Sequence, residues 1–241
     1  MIMRLVRHAW TLVLAVVALN VTSGITCSAQ AQRAPGITPG ASAPGPLPAP
    51  LPAPLPASVG GALAPVPSGL ENGKIQTSTV AHAQLSVKWG RALGIVDAPV
   101  DDVMQVVENY GGYQQFMPHF KVSKVLSQRG TSAIVYMQAS LARNTMTLWA
   151  QMKVGPKPSQ GQTRIIEGKM VDGNMDAMYA RWEVTPIDTG RTLVAFQLLM
   201  DPKLPLPSGF VSSENETATR KTIKALRQIL AERAKKVAVQ R

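Results

Sequence analysis

The sequence predicts an α+β domain in which an antiparallel sheet of about seven strands wraps around one long C-terminal helix. Three observations carry that expectation. Strand-like runs follow one another from Leu85 to Met200 with short turn signals between most of them, and short links favour antiparallel neighbours. Apolar and polar residues alternate along those runs, which gives the sheet one face to bury. From about Ser208 to Lys235 the apolar spacing changes to three and four residues, the period of a helix.

The chain of 241 residues carries a net charge of +11, and 45% of it is apolar, which excludes wholesale disorder. Its composition is uneven. Eleven of the 19 prolines fall between Gln32 and Ser68, whereas every Tyr and Phe and three of the four Trp lie beyond Leu85. Arg4 and Arg7 precede an apolar run, Ala9 to Leu19, and Ala29-Gln30-Ala31 supplies a small-x-small cleavage pattern. Residues 1–31 therefore read as a signal peptide, too short in its apolar part to span a bilayer. The rival reading, a lipoprotein anchored at Cys27, fits less well because Thr26 is not the small residue usual before such a cysteine. The expected destination is the periplasm or the extracellular space. Removing Arg4 and Arg7 with the leader leaves 23 basic against 14 acidic residues, a net +9.

Residues 32–84 read as a linker. From Pro46 the chain spells Pro-Leu-Pro-Ala three times, and proline at every second position favours polyproline II, a semi-rigid spacer. The Gly, Ser, Thr and Ala content up to Ala83 extends that expectation, with no contribution to the core before about residue 80.

The domain, residues 85–236, opens with a strand from Leu85 to Val96. Pro99 suits a first helical position and Asp101 and Asp102 suit the positive end of a helix, while Val100, Val103, Val107 and Tyr110 recur at helical spacing until Gly111-Gly112. Tyr113, Phe116 and Met117 make a second short helical turn. Strands are then expected over 121–126, 131–142, 145–154, 163–171, 175–185 and 192–200, with Gly155-Pro156 among the turns. The long helix follows, and residues 237–241 read as a tail.

Val96-Asp97-Ala98-Pro99, Tyr110, Tyr113 and Phe116-Met117-Pro118, with Trp182-x-x-x-Pro186 and Gly190-x-Thr192, resemble the START-like (SRPBCC) superfamily. The nearest resemblance is to its polyketide cyclase and coenzyme-Q-binding branch. It implies a helix-grip fold from Leu85 to about Lys235 enclosing an apolar cavity, and a ligand such as a quinone, isoprenoid or other lipid.

Strand alternation assigns Val135, Met137 and Ala139, then Leu148, Ala150 and Met152, then Ile166, Gly168 and Met170 to the inner face. Met178, Ala180, Trp182 and Val184 continue it, followed by Val194, Phe196, Leu198 and Met200. Gln138, Ser140, Gln151, Glu167, Lys169, Arg181 and Glu183 fall on the other face. Methionine on a cavity wall adapts to varied apolar ligands, and methionine in a core merely packs; both readings stand. On the last helix Val211, Asn215, Thr219, Thr222, Leu226 and Leu230 share a side. Asn215, Thr219 and Thr222 either meet water at an open mouth or bind a ligand's polar end. The expected ligand contacts are accordingly Met137, Leu148, Met152, Met170, Trp182, Phe196, Asn215, Thr219 and Thr222.

Arg220, Lys224 and Arg227 lie opposite that stripe, either as a solvated face or as a docking patch for an anionic membrane. No aromatics interleave them, and nucleic acid is not expected. One cysteine and three histidines offer no metal-ligand set, and no cofactor is expected. The inner face holds no acid–base pair, so the sequence favours a non-enzymatic carrier of an apolar molecule. A cyclase or aromatase acting on a polyketide-type substrate, in which His119 at the cavity rim would be one candidate group, and a ligand-free protein-interaction module are the alternatives.

Overall fold

A computed structural model describes residues 66–141 and 146–239. The leader with Cys27, the proline repeats and Arg143 lie outside the described residues. Among the described residues eight strands form one antiparallel sheet: β1 (Gln76–Val80), β2 (Trp89–Val96), β3 (Phe120–Arg129), β4 (Ser132–Leu141), β5 (Met146–Gln160), β6 (Thr163–Gly173), β7 (Met175–Pro186) and β8 (Thr192–Pro202). Their order is β1-β2-β8-β7-β6-β5-β4-β3. From β3 to β8 each strand pairs with the next in sequence, as short links dictate. The one long crossing, from β2 to β3 at the far edge, is made by helix α1 (Val100–Val107) and a 3-10 turn (Tyr110–Gln115). Val103, Met104, Val106 and Val107 of α1 are buried, while Asp101 receives a 2.7 Å ion pair from Arg164.

Helix α2 (Ser208–Val239) lies across β2 and β8 on the concave face of the sheet. Two glycines of β2 let it come close: a Cβ on Gly90 would collide with the backbone of Asn215 and Glu216, and one on Gly94 would press on Ile223. Ile223, Leu226 and Leu230 of α2 are buried with Ala92, Val96, Val184 and Val194 in the main core. The helix continues four residues beyond Lys235, into the expected tail.

Two expectations are corrected and a third is extended. First, the folded region begins before Leu85. Leu70 is 0% exposed among Ile95, Ile187 and Leu193, and Gln76–Val80 pairs with β2 over five residues. Polar β1 forms because β2 presents an edge, a tertiary effect that outweighs its weak intrinsic preference. Arg227 fixes the segment further, donating from Nε to the Ile95 carbonyl and from Nη1 to the Gly73 carbonyl, both at 2.7 Å. Residues 81–88 form a loop rather than the start of β2, placing Leu85 and His82 over Trp89 and Tyr179.

Second, Gly155-Pro156 is inside β5, and the turn falls at Gly161, which has a positive φ of 58°. β4 begins at Ser132 and its pairing with β5 reaches only Val154, so Pro156 lies where one edge of β5 has no neighbour, a place in a strand where a missing N–H is tolerated. Third, Arg181 and Glu183, assigned to the face opposite the inner set, stay off the cavity wall but are themselves buried, 6% and 1% exposed. Arg181 donates from Nε to Glu183 at 2.7 Å and pairs through Nη1 with Glu167 on β6. Charges buried this way persist because each has its partner.

Candidate functional site

Between the sheet and the N-terminal half of α2 the interior is open, with a cavity volume of about 290 Å³. That is at the small end of ordinary ligand pockets, roughly 300–1,000 Å³. Alternate positions of β4 to β8 make its wall, because every second side chain points to the concave face. Small residues recur there, Ala139, Ala150, Gly168 and Ala180, opposite Ala218 of α2. Trp182 and Phe196, cross-strand partners on β7 and β8 with ring centroids 4.2 Å apart, form the aromatic part of the wall. Met117, Met137, Met152, Met175, Met178 and Met200 bring six thioethers to it.

Tyr113 reaches the wall from the 3-10 turn, but its hydroxyl donates to the Val107 carbonyl at 2.6 Å. Burial, and then the neighbouring Tyr110, push the Tyr113 hydroxyl far above its ordinary range. Tyr110 itself is pushed up to about 12 by burial and by Glu108. Both phenols are thus held neutral, the Tyr110 hydroxyl donating to the Thr131 carbonyl at 3.5 Å while Ser123 donates to the main-chain carbonyl of Tyr110.

Polar groups gather at the mouth. His119, which follows Met117-Pro118, has φ 68°, the one positive value among the described non-glycine residues. Its carbonyl accepts from the Ser140 N–H at 2.9 Å, so the loop is fixed to the end of β4. Its Nε2 is 3.5 Å from Lys221 Nζ on α2. Glu214 and Thr217 complete the rim from the same helix, with Thr222 just inside.

Of the nine expected ligand contacts, Met137, Leu148, Met152, Trp182, Phe196 and Thr222 line this cavity. The other three do not. Met170 packs half-buried against the main core with its sulfur beside Gly173, near a register shift between β5 and β6, and borders a second groove with Lys153 and Lys169. Asn215 is consumed by structure. Its Nδ2 donates to the Lys88 and Met200 carbonyls and its Oδ1 accepts from the Met200 N–H, all at 3.2 Å, fastening α2 to β2 and β8. Its burial also leaves the sequon Asn215-Glu216-Thr217 without an accessible acceptor. Thr219 is fully buried and returns its hydroxyl to the Glu216 carbonyl. Thr222 likewise donates to the Ala218 carbonyl at 2.9 Å, so it offers a ligand its methyl and remaining lone pairs.

Sequence reasoning missed Glu214, Thr217, Ala218 and Lys221. They share one side of α2 at helical spacing, a short rotation from the stripe that was read through Asn215, and what sets the rotation is the close approach at Gly90. Arg220 and Lys224 are exposed, as expected of a basic face, but Arg227 is half buried and committed to backbone carbonyls. Burial holds its guanidinium below its ordinary value, opposed by Asp97. It is not part of a free basic patch.

Among the described residues no cluster of His, Cys, Asp and Glu could hold a metal, and no helix is long and apolar enough to cross a membrane.

A curved antiparallel sheet gripping a C-terminal helix over an apolar cavity defines the START-like class. The chain belongs to the polyketide cyclase / dehydrase and lipid transport family, whose model matches residues 96–227, more than half of it. No curated protein matches it. Among solved structures it is similar to a STAR-related lipid transfer protein fragment from Xanthomonas axonopodis: 18% identity, 70% of this chain and 98% of that one, TM-score 0.58. It is also similar to human StAR-related lipid transfer protein 5, with 15% identity, 67% and 83% coverage and TM-score 0.59. A START superfamily protein from Mycobacterium smegmatis gives 16% identity, 60% and 97% coverage and TM-score 0.52. At these identities the likeness is one of fold.

Proposed function

We propose that this protein is an exported carrier that takes one apolar small molecule into the cavity beneath α2 and releases it near a membrane. The observation that carries the reading is the wall itself: predominantly apolar and methionine-rich, with its charged groups at the rim. Catalysis of the cyclase kind needs an acid or base with a free proton position in contact with the substrate. The phenol inside the cavity, Tyr113, is already committed to a backbone carbonyl, which favours shielding over chemistry. Export rests on the leader pattern of residues 1–31, and membrane contact on the exposed Arg220 and Lys224, each worth about 1 kcal/mol near an anionic surface.

The full-length protein, purified from the envelope or medium of its host and examined by mass spectrometry under native conditions, should carry a small apolar molecule. It should also take up an apolar fluorescent probe at one site per chain, with the probe chemically unchanged on recovery. A cyclised or dehydrated product would establish the enzyme instead, and a protein that binds no apolar probe would be neither.

A further inference from the structure

The rim is chemically lopsided, and this bears on which apolar molecules fit. Lys221 and His119 come together from two elements distant in sequence, with 3.5 Å between Nζ and Nε2. Lys221 is in no ion pair among the described residues, although α2 carries two glutamates, Glu214 and Glu216, within two turns of it. Glu214, the acidic group on the same rim, is seven residues away on α2 and so about 10 Å away along the axis. Exposed Arg220 and Lys224 and, past the His119 loop, exposed Lys121 add positive potential on the Lys221 side. The backbone at His119 adopts φ 68°, which an L-residue takes only when its surroundings hold it there, and here the Ser140 N–H does so. An imidazole and an ammonium are thereby kept at the edge of a chamber lined with methionine and aromatic side chains.

We infer that the ligand is an anionic amphiphile, specifically a single-chain or small-ring carboxylate, whose apolar body fills the cavity and whose carboxylate rests against Lys221 and His119. The inference deepens the carrier reading and rests on it. One ammonium matches the single charge of a carboxylate, and the ammonium lies where the head of a ligand inserted body-first would stop. The cavity volume of about 290 Å³ suits one chain or one small ring system. A neutral quinone or isoprenoid would use the same wall and leave Lys221 idle.

The test measures binding of three probes with the same pyrene-labelled chain, ending in a carboxylate, its methyl ester or a phosphate, to the full chain. The carboxylate should bind about tenfold or more tighter than the ester, since hydrogen bonds to charged groups are the strong ones. Lys221→Gln should erase that preference while leaving ester binding unchanged, and Lys221→Arg should restore it. His119→Asn, which tolerates the same backbone, should weaken carboxylate binding by a smaller factor. Unfolding curves of the variants, all at exposed positions, should overlay on the parent. Acid and ester bound equally by parent and variants would overturn the carboxylate assignment and leave the carrier standing. A phosphate bound more tightly than the carboxylate would overturn it in favour of a phosphorylated head. No binding of any probe would end both readings.

Discussion

The two ends of the interior are built on the same sheet and the same helix, yet one is solid and the other hollow. At the solid end Val96, Val103, Val107, Val184, Val194 and Ile223 meet Leu226. These are branched side chains with few rotamers, which interlock. At the hollow end Ala139, Ala150, Gly168, Ala180 and Ala218 face long methionines. Small residues surrender volume, and unbranched thioethers do not fill it in a fixed way. The difference teaches that a cavity needs no special backbone. It is written in side-chain size along strands that are otherwise continuous.

Truncation should separate the ends most strongly. Leu226→Ala, at a fully buried position, should cost about 2–5 kcal/mol. Met137→Ala should cost clearly less, because one side of Met137 already meets open space. Urea midpoints read both, and equal losses would mean that the hollow end is packed in solution. Bulk should do the reverse. Val194→Phe should lose about 1–3 kcal/mol by overpacking, whereas Met137→Trp should lose little and abolish uptake of an apolar probe.

Asn215→Val probes the seam between the ends. It removes three hydrogen bonds that fasten α2 and leaves buried carbonyls unpaired, so it should cost about 1–3 kcal/mol. Probe affinity of the folded fraction should stay the same, and a selective loss of affinity would place Asn215 back at the ligand. His119→Gly should move in the opposite direction, gaining about 1 kcal/mol by relieving the left-handed backbone. A loss of stability there would show that the imidazole holds the loop rather than the loop the imidazole.

The smallest effect is expected at Asp201, at the hollow end. Burial and then Asp176 hold its carboxyl above the ordinary value. The fold therefore disfavours the ionised form and loses stability as pH rises through the carboxylate range. Asp201→Asn should raise the unfolding midpoint slightly at neutral pH and leave it unchanged in acid.

Much of this was legible in the sequence, for a simple reason. A period of two assigns faces without any knowledge of neighbours, so the wall residues Met137, Leu148, Met152, Trp182 and Phe196 could be named from alternation alone. What sequence could not supply was decided by partners. Gln76-Thr77-Ser78-Thr79-Val80 becomes a strand because β2 has a free edge, and Asn215 becomes a fastener because Lys88 and Met200 present their backbones to it. Arg181 and Glu183 are buried because each neutralises the other across one intervening residue. His119 and Lys221, 102 positions apart, meet only once the β2–β3 crossing is closed.

The bond from Arg227 to the Gly73 carbonyl has a mechanical consequence. A pull on the chain ahead of Val66 enters the domain through Gly73 and the five-residue β1–β2 ladder, so β1 cannot peel away until that bond yields. Because the same guanidinium holds the Ile95 carbonyl, the load passes to β2 and to the solid half of α2. The hollow half shares that load, because Thr77 of β1 donates to Glu216 of α2 at 2.6 Å, one residue from the Asn215 fastening. A molecule held in the chamber would therefore feel a pull on the chain ahead of the domain through α2 itself.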